Sequence, residues 1–379
     1  MLKNKIYKYI FNEIFRNFTT ILLTFTAIVW VVRAVNFLDL MVEDGYSSSI
    51  YFKYSILNIT NIMTRFVPLA FLLSLTISII KLERQQELLI LWTSGLAKIK
   101  IANIFLQIAF FVTLFQLVLS LFVTPFLLNK SRSLLSNTES LQVANVLKSN
   151  DFSDSYRGIT FYIESKSVNN ELLNIFIKDV DGNLNAVMDQ VQTNRNSTIV
   201  AEKGFIVKDK LILFDGVIQS LNQKNEIKNI QFKKIELSLN KIATRTIKQP
   251  KVQEISNKLL LTCIFDKKNN LIMNTCSKDY QNEAVQTLSK RLGAPLYIPL
   301  ISIITSFLLI YKKEKKYNFL KKYILFILSF VILIFAEILL KYTGFSLLAA
   351  SSYFILPLVI SFLFYIYLYK KIMTEKIIK

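Results

Sequence analysis

The chain has 379 residues, 53% of them hydrophobic and 30 of them phenylalanine, with a formal charge of +20. That apolar load exceeds what a soluble core hides, which excludes an ordinary soluble globular protein. The complete lack of histidine excludes Ser-His-Asp and Cys-His catalysis and every histidine-based metal site.

In chain order, six apolar runs are long enough to cross about 30 Å of hydrocarbon as helices. They are Phe18 to Phe37, Ile56 to Ile80, Ile101 to Leu127, Ala294 to Tyr311, Tyr323 to Leu340 and Phe345 to Tyr369. The first, preceded by basic residues, also resembles a signal peptide, but it is too long and lacks a small-residue cleavage site, so it reads as an uncleaved span. Lys3, Lys5, Lys8 and Arg16 precede it, and Lys81, Arg84, Lys98 and Lys100 lie between the second and third runs. Six lysines between Lys312 and Lys322 join the fourth to the fifth, and Lys370, Lys371, Lys376 and Lys379 close the chain. The alternate loops are poor in basic residues, with Asp39, Glu43 and Asp44 in one and Lys341 in the other. The positive-inside rule therefore predicts cytoplasmic termini and a central domain on the far side. Much of the surplus charge is accounted for by these flanks, where it meets anionic lipid, and no nucleic-acid partner is expected.

The layout is three spans in 1–128, a polar domain in 129–292 and three spans in 293–379. Within the polar part, short alternating runs predict strands at Ile159 to Glu164, Leu172 to Lys178, Ile206 to Lys208, Leu211 to Ser220 and Ile230 to Leu237. Asp181-Gly182-Asn183 reads as a tight turn, and Asp209-Lys210 joins two runs. Strands without helical periods between them predict an antiparallel sandwich or jelly roll, with helical connectors at Leu134 to Lys148 and Glu283 to Leu292. Phe161, Ile163, Ile175, Ile177, Phe205, Ile212 and Phe214 are expected to face inward, either filling a closed core or lining a groove for acyl chains. Cys263 and Cys276 fall on the side assigned as oxidising, where they form a disulfide or remain free thiols.

The eight glycines form no phosphate-cradling loop, neither G-x-x-x-x-G-K-[ST] nor G-x-G-x-x-G. No cofactor is expected, and any ATP must be bound by another subunit. Between the second and third runs, Glu83 to Gly95 carries early acidic residues, an apolar ridge and a terminal glycine, the signals of a short helix. Such a helix lies at a membrane surface or in a partner's groove.

The run QQELLILWTSGLAKIKI resembles the coupling-helix signature of the lipopolysaccharide export permeases, the LptF/LptG (YjgP/YjgQ) family. WVVRAVNFLDLMVEDG and LSKRLGAPLYIPLIS support the resemblance, which spans essentially the whole chain, and Phe37-Leu38-Asp39-Leu40 with Gly45 is closer to the LptF branch. The resemblance implies a six-span membrane protein with an inserted all-β jelly-roll-like periplasmic domain. It implies a non-catalytic inner-membrane subunit paired with an LptG-like permease, served by an LptB-like ATPase dimer, and passing lipopolysaccharide to an LptC-like periplasmic protein. Glu87, with Leu88, Leu91 and Gly95, becomes the ATPase-coupling element.

Ionisable groups inside spans are costly unless they face a wet cavity, a partner or a head group. Arg33, Arg65, Glu337 and Lys341 are such groups near the outer ends of their spans. Since spans one and five form the gates in the family, Arg33 and then Lys341 become the expected contacts for lipid A phosphates, the rival being snorkelling to the interface. Glu337 and Lys341 are spaced to pair on one helix face, while Arg65 precedes Pro68, a kink signal, and has no assigned role. The rival functions are a permease half for another amphiphile, such as a lipoprotein, and a membrane-anchored periplasmic scaffold.

Overall fold

The structure is a computed structural model describing residues 2–42, 46–138, 149–156, 158–167, 171–180, 197–207, 210–221, 227–238, 251–265, 276, 278–310 and 316–377. Six helical segments are long and apolar enough to cross a membrane. They are span 1, Lys5–Met41; span 2, Ser48–Arg84; span 3, Lys98–Leu135; span 4, Lys278–Leu309; span 5, Lys322–Tyr342; and span 6, Leu348–Thr374. Between spans 3 and 4 lies an antiparallel sheet of six strands. The chain divides into two compact units, one of residues 1–32, 58–129 and 251–379, the other of residues 33–57 and 130–250.

The helical unit is built around span 4, whose apolar window is 78% buried, against 11% for span 1, 17% for span 5 and 11% for span 6. Ile298, Leu300, Ile301 and Ile304 are fully buried. Hydrocarbon competes with apolar side chains for one another, so close approach of small residues drives such packing. Ser302, Thr305 and Ser306 are buried on span 4, and Ala70, Ser74 and Ser78 on span 2. Thr305 Oγ1 and Ser306 Oγ donate to carbonyls one turn back, Ile301 at 2.9 Å and Ser302 at 2.7 Å, which lets hydroxyls sit in a dry interior. The described residues 251–265 and 278–292, assigned from sequence to the polar domain, group with the spans. Span 4 consequently begins sixteen residues earlier than its apolar run, at Lys278 rather than Ala294.

In the other unit the strands are β1 Asp151–Tyr156, β2 Ile159–Lys166, β3 Glu171–Asp179, β4 Ser197–Val207, β5 Lys210–Leu221 and β6 Ile227–Ser238. Their spatial order is their chain order, so each pairs with the next as an up-and-down meander. The core comes from one face of β2 to β6, with Ile177, Ile199, Leu211, Leu213 and Leu237 fully buried. The inward expectation holds for Phe161, Ile163, Ile175 and Ile177 but not for Phe205, Ile212 and Phe214. Phe205 is exposed, and its ring meets Phe214 edge-on at 5.9 Å on the outer face.

The cause is a fault in the pleat. Leu173 and Asn174 are consecutive exposed residues on β3, as are Glu202 and Lys203 on β4, and the buried positions Leu213 and Ile218 on β5 are an odd five residues apart. Asn174 and Asp215 take left-handed backbone, at φ 51° and 48°. The pairing register is the same on both sides of this line, so neighbouring strands shift their alternation together. The Asp181-Gly182-Asn183 turn lies outside the described residues, as does the later part of the Leu134 to Lys148 connector.

Candidate functional site

Two features of the helical unit stand out. The first follows span 2. That helix ends at Arg84, and Gln86 turns the chain through left-handed backbone at φ 59° before the helix Glu87–Thr93 begins. A non-glycine residue there costs about 1 kcal/mol, so its position is imposed by the packing around it. The helix closes on Gly95, at φ 87°, whose N–H bonds to the Trp92 carbonyl, while Leu96 N–H reaches the Leu91 carbonyl, both at 3.1 Å. This is the Schellman pair of bonds, and it explains the glycine at that position.

Leu88 is 2% exposed and belongs to the main helical core, and Leu91 and Trp92 pack against it. These three residues anchor the short helix. Leu89 and Ile90 point away, 54% and 63% exposed. Of the sequence-derived set, Glu87 and Gly95 lie at the helix ends, while Leu88 and Leu91 serve attachment. The exposed pair Leu89 and Ile90 was missed, because periodicity over seven residues cannot tell which side of an apolar run is covered. Tyr9 of span 1 donates its hydroxyl to the Glu87 carboxylate, at 3.1 Å and 3.0 Å from its two oxygens.

The second feature is a cavity of about 300 Å³ between spans 2, 3, 4 and 5. Arg65, Gln116, Thr124, Lys290, Glu337 and Lys341 are among its lining residues. Lys290 Nζ lies 3.7 Å from Glu337 Oε1, in place of the Glu337–Lys341 pairing expected from sequence. Three of these side chains are cationic and one is anionic, a surplus that suits an anion. Gln116 Nε2 donates to the Thr64 carbonyl at 3.3 Å, but its Oε1 and the Thr124 Oγ1 are buried without a partner. Buried polar atoms without partners are costly, so this space suits water or a polar ligand better than hydrocarbon.

Proline chemistry opens one wall of the cavity. Pro125 has no N–H to give the Leu121 carbonyl four residues back, and span 3 widens there into a π turn, Leu119–Val123. The Leu121 carbonyl accepts Asn257 Nδ2 at 2.7 Å instead. Asn257 Oδ1 in turn accepts from Arg291, which is 6% exposed and also donates to the carbonyls of Gln253 at 2.9 Å and Ile255 at 3.0 Å. Arg291 therefore lines the cavity with three of its five N–H donors already committed. Cys263, on the helix Asn257–Phe265, is disulfide-bonded to Cys276, and the two Cα atoms are 6.2 Å apart.

Lys341 thus stands in a polar cavity with Arg65 and Lys290, which sequence reasoning did not connect with it. Arg33 lies half-buried in the last turn of the first helix, in the other unit. Among the described residues no cluster of acidic or cysteine side chains could hold a metal ion.

Six spans, a β insert between the third and fourth, and a charged cavity among the helices define a polytopic membrane protein of the transport type. No curated protein matches the chain. A family model described as lipopolysaccharide export system permease LptF/LptG matches residues 8–371, nearly the whole length, and the chain belongs to that family. Membership makes it a multi-pass inner-membrane component of a lipopolysaccharide export permease complex.

Proposed function

We propose that this chain is the LptF-like half of an ATP-driven exporter that takes lipopolysaccharide from the outer leaflet of the inner membrane toward the periplasm. It pairs with an LptG-like permease, is driven by an LptB-like ATPase dimer and hands its substrate to an LptC-like protein. It performs no hydrolysis itself. Both termini are cytoplasmic and the β insert is periplasmic. Lipid A phosphates are held by Arg33 and Lys341, to which the cavity adds Arg65 and Lys290. Arginine and lysine suit that role differently, the first as a planar fork and the second as a point charge.

The observation that carries this reading is the short helix. It is fastened to the bundle by Leu88 while presenting Leu89 and Ile90 beside Glu87, an apolar pair with one carboxylate at its edge. The ATPase packs on that surface and transmits its closure as a rigid-body push. The test is mild-detergent purification of the tagged chain from its native membrane, with Glu87→Ala and Ile90→Asp compared against the unaltered protein. Recovery of an ATPase, a second six-span permease and lipopolysaccharide with the unaltered chain, and loss of the ATPase with Ile90→Asp, is the expected result. Equal ATPase recovery with all three proteins refutes the docking surface.

A further inference from the structure

Polar contacts join span 2 and the short helix after it to two other spans. Ser74 Oγ donates to the Ile14 carbonyl at 2.8 Å, Asn17 Nδ2 to Ser78 Oγ at 2.8 Å, and Lys81 Nζ to Glu13 at 2.5 Å. Spans 1 and 2 are thereby zipped together, and the Tyr9 bond to Glu87 continues the row onto the short helix. The link to span 5 is an ion pair like that of Lys81 and Glu13, but here both partners are largely covered. Lys322 Nζ is bonded to Glu83, and the two side chains are only 15% and 17% exposed.

The placement of this pair is informative at both ends. Glu83 directly precedes the elbow at Arg84 to Gln86, and its carbonyl accepts the Gln86 N–H at 3.0 Å. Lys322 opens span 5, which continues as one helix to Tyr342. At 1.5 Å per residue, Lys341 lies about 29 Å further along that rod, where it lines the cavity with Glu337. An unbroken helix delivers a displacement at one end to the other. A largely buried ion pair adds little net stability, yet removing one partner strands a charge, so its best-supported use is to fix register between elements.

We propose that the Glu83–Lys322 ion pair is the joint through which movement of the short helix reaches span 5, and with it the cavity at the far end of that span. Glu83 and Lys322 are positioning residues for transport. The inference rests on the reading of Glu87–Thr93 as the ATPase contact. Among the described residues, this is the ion pair that ties the segment 83–95 to span 5. Without it, span 5 is left with only its helix packing to follow the short helix and its zipped neighbours.

The test uses the full chain in its native membrane with its own partners. Four variants are compared: Glu83→Lys, Lys322→Glu, the double exchange of both, and the neutral double variant Glu83→Gln with Lys322→Gln. The readouts are chain accumulation, ATPase recovered with the chain, and lipopolysaccharide delivered per ATP hydrolysed. Each single exchange is expected to keep the ATPase and its hydrolysis while transport falls about tenfold, within the usual range for coupling between sites. The double exchange restores transport. The neutral pair leaves no stranded charge, so it accumulates normally and transports as poorly as the single exchanges. Normal transport by the neutral pair, loss of the ATPase from it, or a double exchange no better than its parents overturns the proposal. Should Glu87→Ala keep both ATPase and transport while the exchanges behave as expected, the docking role of Glu87 fails and the joint stands.

Discussion

Replacing Arg291 by methionine tests whether the wall of the cavity is held as described. Methionine keeps much of the apolar stem but withdraws every donor, leaving Asn257 Oδ1 and the carbonyls of Gln253 and Ile255 without the guanidinium. Each buried acceptor left unpaired costs about 1–3 kcal/mol, or roughly 3–9 kcal/mol for three. The low end applies, because Arg291 borders a polar cavity from which water can reach the vacated acceptors. The expected loss is about 3 kcal/mol. Arg291→Lys, with a point charge in place of a fork, should lose about half as much. Ser120 Oγ donates to the Arg291 carbonyl at 2.9 Å and Asn257 to the Leu121 carbonyl, so the damage should spread to the π turn. Hydrogen exchange on the full chain reads this directly as local opening. Protection around 252–265 and 116–124 should fall about a hundredfold in Arg291→Met, since each 1.36 kcal/mol is a factor of ten. Unchanged protection, or a lysine variant as damaged as the methionine one, refutes the account of Arg291 as the donor that closes this wall.

In the sheet, a Cβ on Gly216 would lie 2.4 Å from the Val200 carbonyl oxygen and 2.6 Å from the Phe232 ring. The nearer atom is backbone, so Gly216→Ala should destabilise the β unit by roughly 1–3 kcal/mol, seen as faster exchange in β4 and β5; a stability equal to the unaltered protein removes the argument. Glu236 is held below the usual carboxylate range by Lys234 at 3.1 Å and Lys210 at 3.2 Å. A depressed folded pKa contributes stability above the unfolded value and loses it as pH falls through the folded one. Acidification from about pH 6 to about pH 3 should therefore weaken exchange protection at the β5–β6 pairing less in Glu236→Gln than in the unaltered chain; identical pH profiles count against the pairing.

The spans were legible because hydrocarbon thickness imposes a length that any apolar run must meet. Where burial is supplied by protein instead, the signal disappears. Residues 278–293, KDYQNEAVQTLSKRLG, carry too many polar groups to register as a span, yet they form the first half of span 4 and bury Ala284, Ser289, Arg291 and Gly293. β1, DFSDSY, was invisible for a related reason, since a polar sequence at the edge of a sheet has no apolar alternation to read. β4 was seen only at its end, because its Ala201-Glu202-Lys203-Gly204 stretch crosses the pleat fault, where period two fails. The same fault reversed the faces assigned to Phe205, Ile212 and Phe214. In LILF every residue is apolar, so nothing in the residue types chooses between the two faces. Of the two site features, the short helix announced itself through its caps. The cavity did not, because Arg65, Lys290 and Lys341 come from three spans and only their packing brings them to one space.

Exposure of apolar surface means different things at different heights of this molecule. Spans 1, 5 and 6 leave most of their apolar windows uncovered, but lipid tails cover such faces at no cost, so the spans by themselves name no protein partner. Leu89 and Ile90 lie beyond the end of span 2, on a helix of seven residues. A helix that merely floats in the interface is held there by its own apolar face. This one is fixed from the opposite side, by Leu88 in the bundle core and by Tyr9 on Glu87, and its left-handed elbow at Gln86 is kept in place by that packing. Fixing a short helix by two separate devices while leaving two large aliphatic side chains outside them is the arrangement expected of a rigid docking element. Rigidity is also what transmission requires, since a push absorbed by a loose element would never reach Lys322.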